Sequence, residues 1–88
     1  MDLMLATSKA GHDRNQVYVI VGESEDFFMI ANGTTKTIAK PKKKKKIHLQ
    51  LIKNIPSNVL AEYNSEKALN DIKIKRILKV YNRRNEDV

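Results

Sequence analysis

The chain has 88 residues, 17 Lys plus Arg against 10 Asp plus Glu, a formal net charge of +7 and no cysteine. That length holds one small domain with a thin core. The missing thiols exclude a disulfide scaffold and any thiolate metal site, and no apolar run approaches the roughly 20 residues that span a bilayer.

Residues 3–8 read as a first strand. The stretch Lys9-Ala10-Gly11-His12-Asp13-Arg14-Asn15 is a turn, with Gly supplying positive φ and Asn and Asp tolerating it. Gln16 to Val21 is a dense β-branched run and the clearest strand. After the polar connection Gly22 to Asp26, a third strand covers Phe27 to Ala31. Phe27 and Phe28 must point to opposite faces. One is expected in the core, and the other is exposed or, as the favoured reading, covered by the tail helix. Asn32-Gly33 is a two-residue hairpin signal, which predicts a fourth strand over Thr34 to Ile38.

Lys40-Pro41 then opens a charged segment through Lys46, expected to be a loop or a mobile edge because like charges repel and Pro41 cannot donate to a central ladder. Ile47 to Ile52 alternates apolar and polar and reads as a fifth strand. Five short strands joined by tight turns suggest a small barrel whose closure would remove exposed edges. Beyond Pro56 the pattern becomes helical. Ser57 is a candidate cap for a short helix with Val59, Leu60 and Tyr63 on one face. Asn70 is a second candidate cap, with Asp71 in the first turn. Ile74, Ile77, Leu78 and Tyr81 follow at i, i+3, i+4 and i+7, with Lys73, Lys75, Arg76 and Lys79 largely opposite. The helix is expected to fade near Asn82, with residues 83–88 without pattern. The expected fold is therefore mainly β, a five-stranded barrel over residues 1–53 with a helical extension over 54–88.

Charge is concentrated early, with ten basic and five acidic residues in 1–56 against seven and five in 57–88. A sequence pI of about 9.8 makes nucleic acid the first partner to consider. Lys40, Lys42, Lys43, Lys44, Lys45 and Lys46 are suited to phosphate neutralisation with counterion release. Lys9, His12 and Arg14 around Gly11 offer an Arg fork and a planar ring for phosphate or an unpaired base. Lys36 and His48, on strands beside the basic segment, complete the candidate set. Against each stands a plainer reading, a solvated loop for the lysines and an ordinary turn in which Asp13 pairs with Arg14. Two histidines 36 positions apart, with no third ligand at useful spacing, do not make a metal site. No nucleophile elbow, phosphate-binding Gly loop or Ser/His/Asp order points to catalysis.

The segment Ser8 to Val21 resembles a KOW motif, in which a strand, a Gly-containing basic loop and a β-branched strand follow one another. The segment Lys40-Pro41-Lys42 to Lys46-Ile47-His48-Leu49-Gln50 is similar to the short bacterial KOW proteins related to a large-subunit ribosomal protein family of archaea and eukaryotes. The resemblance covers residues 3–52, and the tail from Asn70 is a weaker match. Asn15 stands where many KOW loops have a second Gly, and Asn is the best substitute at positive φ.

The resemblance implies an SH3-like barrel that binds structured RNA, often ribosomal RNA of the large subunit, through its loops. No cofactor, small-molecule substrate or membrane partner is expected. A cytoplasmic location is expected, since Met1 to Leu5 lacks the basic start and apolar core of a signal peptide, and a monomer is the simplest expectation. The competing expectation is an interaction adaptor of the transcription or translation machinery. In that reading an exposed Ile74/Ile77/Leu78 face would contact a protein.

Overall fold

A computed structural model of the chain describes residues 3–12, 14–65 and 68–86, with side chains through Arg83. The elements are β1 (Leu5–Ser8), β2 (Val17–Glu23), β3 (Phe27–Ala31), β4 (Lys42–Lys45), a one-turn 3-10 helix (Lys46–His48), β5 (Leu49–Leu51), α1 (Ser57–Tyr63) and α2 (Asp71–Glu86). All strand pairings are antiparallel, in one sheet of order β4-β3-β2-β1-β5. The fold is mainly β, as the sequence predicts, but the sheet is open. No ladder joins β4 to β5, so the expected barrel closure does not occur and both edges remain.

The sheet is nevertheless strongly curled. Laid flat, its two edges would lie four strand spacings apart, about 19 Å at ~4.8 Å each. Yet β4 and β5 are consecutive and joined only by the three residues of the 3-10 turn, which rises about 2 Å per residue. The edges are therefore drawn together at that end. A register shift between Ile20 and Gly22 supplies a bulge in β2 that bends the sheet. Lys9 N–H donates to the His48 carbonyl at 2.9 Å, tying the first loop to the turn.

Two-residue alternation divides the apolar residues between the two faces. Ala6, Tyr18, Ile20, Phe28, Ile30 and Leu49 form one buried cluster on the inner face of the curl. Leu3, Leu5, Val19 and Ala31 form the other, together with Val59 of α1 and Ile74, Ile77 and Leu78 of α2. The second core thus draws on both the strands and the helical extension. Each fully buried Ile or Leu contributes roughly 1.5–3 kcal/mol, which a short helix needs because it is marginal alone in water.

The helix starts as expected. Asn70 Oδ1 accepts from Lys73 N–H at 2.8 Å, a cap on the first turn. It runs on to Glu86 rather than ending near Asn82. Lys73, expected on the polar side, is buried. Its Nζ donates to the Ser65 carbonyl at 3.2 Å and lies 5.6 Å from the Tyr63 ring, at the carbonyl end of α1 where positive charge is favoured. In α1 the cap position is Pro56, with no side-chain bond. Val59 is buried there, but Leu60 is exposed.

Three other expectations are corrected. Thr34 to Ile38 is not a strand. Asn32 is not at positive φ while Gly33 is, at 82°, so the two-residue type I′ turn does not form. Instead Asn32 Oδ1 accepts from the backbone N–H of Thr34 at 3.0 Å and of Lys36 at 2.9 Å, and its Nδ2 donates to Thr35 Oγ1 at 3.0 Å. The side chain winds the segment into a loop. The fourth strand is Lys42–Lys45, an edge made of lysines, which discourages pairing with another chain. Ile47 to His48 belong to the 3-10 turn, leaving Leu49–Leu51 as the last strand. Phe28 is buried, while Phe27 is covered by Lys43, whose Nζ lies 4.2 Å from the ring centroid, and not by the tail helix.

The Asn32 loop and α2 are interlocked. Asp71 Oδ1 accepts from Ile38 N–H at 2.9 Å. A Cβ on Gly33 would sit 2.4 Å from the Asp71 carbonyl oxygen and 2.8 Å from Lys75 Cγ. Gly33→Ala combines that overlap with a left-handed backbone. The expected loss is about 2–4 kcal/mol of stability, read as a lowered urea midpoint.

Candidate nucleic-acid interface

The first loop is built as its residue types require. Gly11 and Asn15 take positive φ, at 85° and 71°. Arg14 N–H donates to the Gly11 carbonyl at 3.3 Å and Asn15 N–H to the Ser8 carbonyl at 2.9 Å. The expected Asp13–Arg14 pairing lies outside the described residues, because Asp13 is not among them.

Register decides where each lysine of the run goes. Lys42 stands opposite Ile30 and Lys44 opposite Phe28, so both share the inner face. Lys43 and Lys45 stand opposite Met29 and Phe27 on the other face. Lys44 reaches across the curl: its Nζ donates to Ser8 Oγ at 2.6 Å and to the Ala10 carbonyl at 3.5 Å. Ser8, itself buried, donates its hydroxyl to the Ala10 carbonyl at 3.1 Å. On a flat sheet β4 would stand about 14 Å from β1, so this bond is a direct measure of the curvature. Lys46 folds back to Glu23 at 2.6 Å and lies 4.9 Å from the Phe28 ring.

Between the first loop and β4 lies an open depression of about 530 Å³, lined by Ala10, Gly11, His12, Lys36, Lys42, Lys44 and His48. It falls within the size range of ligand sites. Among the described residues its lining carries three lysines and two histidines and no carboxylate. Lys36 is held over the Tyr18 ring, 5.1 Å from its centroid. Neighbouring cations on fixed stems give a concentrated positive field, which attracts phosphate.

The structure therefore brings together six of the candidate residues: Gly11, His12, Lys36, Lys42, Lys44 and His48. The others stand apart. Lys9 and Arg14 are exposed on the loop without lining the depression, and Lys40 is exposed, its N–H donating to Thr37 Oγ1 at 3.1 Å. Lys43 covers Phe27. Lys45 and Lys46 line a second depression of about 450 Å³ with Glu25, Asp26, Phe27 and Ile47, where acids offset the lysines. Ser8 and Tyr18, outside the candidate set, hold two of the lining lysines: Ser8 Oγ accepts from Lys44, and the Tyr18 ring, buried in the core, lies under the Lys36 ammonium.

Among the described residues no group of three His, Cys, Asp or Glu converges as a metal-ligand set, and no helix is long and apolar enough to cross a membrane. Compared with known proteins, no family model matches the chain and no curated protein matches it.

The bridge formed by Lys44 separates two lysines that are neighbours in sequence. Lys44→Ala removes a charged hydrogen bond that spans the curl, and about 1–2 kcal/mol of stability is expected to go with it. Lys45→Ala, on an exposed edge position, is expected to stay within about 0.5 kcal/mol of the unaltered protein. Urea unfolding of the two variants measures the difference.

Proposed function

We propose that this chain is a non-catalytic RNA-binding protein of the KOW kind, acting as a cytoplasmic monomer on structured RNA. Large-subunit ribosomal RNA is the target favoured by the resemblance of residues 3–52. In this reading the curled sheet is an SH3-like fold left open along the β4–β5 seam. The observation that carries the proposal is the basic depression, in which Lys36, Lys42, Lys44, His12 and His48 come from separate segments and meet beside the Gly11 loop.

The mechanism is electrostatic and geometric. The depression receives one or more backbone phosphates, and the lysines release the condensed counterions. The exposed His12 and His48 rings offer planar surfaces to an unpaired base, and the Arg14 fork on the adjoining loop offers a further phosphate contact. Lysine contacts to phosphate position the protein and carry no sequence information, so discrimination falls to RNA shape and to the loop. No cofactor or metal enters this reading.

The adaptor reading would have gained from an exposed Ile74/Ile77/Leu78 face. Those side chains are packed against the sheet, so that observation is not available to it.

The test is fluorescence anisotropy with a labelled RNA hairpin across a potassium chloride series. The double variant Lys36→Gln/Lys42→Gln is expected to flatten the slope of log affinity against log salt by about 1.4–1.8, from roughly 0.7–0.9 per phosphate contact. An unchanged slope, or no binding by the unaltered protein, would sink the proposal. Crosslinked RNA recovered from cells identifies the target, with reads expected to concentrate on one large-subunit ribosomal RNA helix.

A further inference from the structure

The tail helix buries one side and shows the other. Lys75, Arg76, Lys79 and Arg83 are all exposed. At 3.6 residues per turn they occupy about 100° of the circumference, and Lys75 to Arg83 spans about 12 Å. By position on the helix Glu86 and the exposed Ile72 fall within that sector, and Asn82 lies just outside it. The stripe lies opposite Ile74, Ile77 and Tyr81, which face the sheet.

Among the described residues these four cations have no neutralising partner, and none of them meets a carboxylate at ion-pair distance. Asp71, on the same helix, turns its carboxylate to Ile38 N–H of the Asn32 loop. Glu62 of α1 shares a small depression with Arg76 but forms no ion pair with it. An exposed helix serving only solubility usually intersperses the two signs. Here Lys75/Lys79 and Lys79/Arg83 are like charges at i, i+4, which repel. A polyanion laid along the helix would relieve that repulsion.

The stripe is also connected to the basic depression. Lys75 Cγ packs directly over Gly33. Three residues further along the same loop, Lys36 lines the depression. The Asn32 side chain accepts from the N–H groups of Thr34 and Lys36 in that loop, so the two basic surfaces border one hydrogen-bonded segment.

We infer that the exposed face of α2 is a second contact for an RNA phosphate backbone, joined to the depression across the Asn32 loop to form one track. This rests on the RNA-binding reading of the depression and extends it from a loop site to a surface that includes the helix. The contact is to phosphates alone, with no base readout, and therefore strengthens every RNA ligand to a similar extent.

The experiment compares the full chain with the quadruple variant Lys75→Gln/Arg76→Gln/Lys79→Gln/Arg83→Gln on the labelled RNA hairpin, from 50 to 200 mM potassium chloride. Four lost phosphate contacts are expected to flatten the salt slope by about 3. Acetylation of Lys75 and Lys79, followed by mass spectrometry of the unaltered protein with and without the hairpin, gives a readout independent of the variant's folding. Several-fold protection of both lysines is the expected result. Binding by the unaltered protein with neither protection nor a change of slope overturns the helix contact and leaves the depression standing. Failure of the unaltered protein to bind the hairpin overturns both.

Discussion

The structure depends on one constraint of connectivity: the two edges of the sheet are consecutive in the chain and separated by a single 3-10 turn. A five-stranded sheet under that constraint must curl. The curl gives Ala6, Tyr18, Ile20, Phe28, Ile30 and Leu49 a shared interior without any helix covering them. It also brings β4 near β1, and Lys44 fills the remaining gap by bonding to Ser8 and Ala10. The opposite face cannot bury itself in this way. It needs α1 and α2, and the Asn70 cap, the Asp71–Ile38 bond and the bare Gly33 surface fix where α2 lands.

The same curl creates the proposed binding surface. Strand alternation sends Lys42 and Lys44 inward and Lys43 and Lys45 outward, so one homogeneous run is divided among several tasks. Lys44 bridges, Lys46 is tied to Glu23, Lys43 shields Phe27, and Lys42 joins Lys36 at the depression. Exposed ion pairs such as Lys46–Glu23 contribute little to stability. Its carboxylate nevertheless offsets charge at one end of the inner face, leaving the excess near the Gly11 loop.

Much of the sheet was legible because its signals are local. The β-branched run Val17 to Val21 and the block Phe27 to Ala31 have few alternatives as strands, and Gly11 and Asn15 took the positive φ that their types suggest. The apolar stripe of α2 was equally plain. What failed depended on side-chain bonds, register and packing that residue types alone do not specify. Asn32-Gly33 reads as a tight hairpin, yet Asn32 spends its side chain winding a longer loop against α2. Identical lysines carry no hydrophobic phase, so nothing in residues 42–46 shows that they form a strand or which members face inward. Lys73 falls on the polar side of the stripe by counting, and only the approach of α1 explains its burial. The site was legible as a set of basic residues, but its division into bridging, shielding and lining groups required the register.

These parts form one physical account in which curvature, set by a short connection, gathers cations that the sequence scatters over three segments. The basic depression is its centre. The most direct measurement is ultraviolet crosslinking of the full chain to ribosomal RNA, with the attached peptides mapped by mass spectrometry. The account predicts adducts on the segments carrying His12, Lys36, Lys42 and His48. Adducts confined to the opposite face, at Lys43, Lys45 and Ile47, or no adduct above that of an unrelated basic protein, would contradict it.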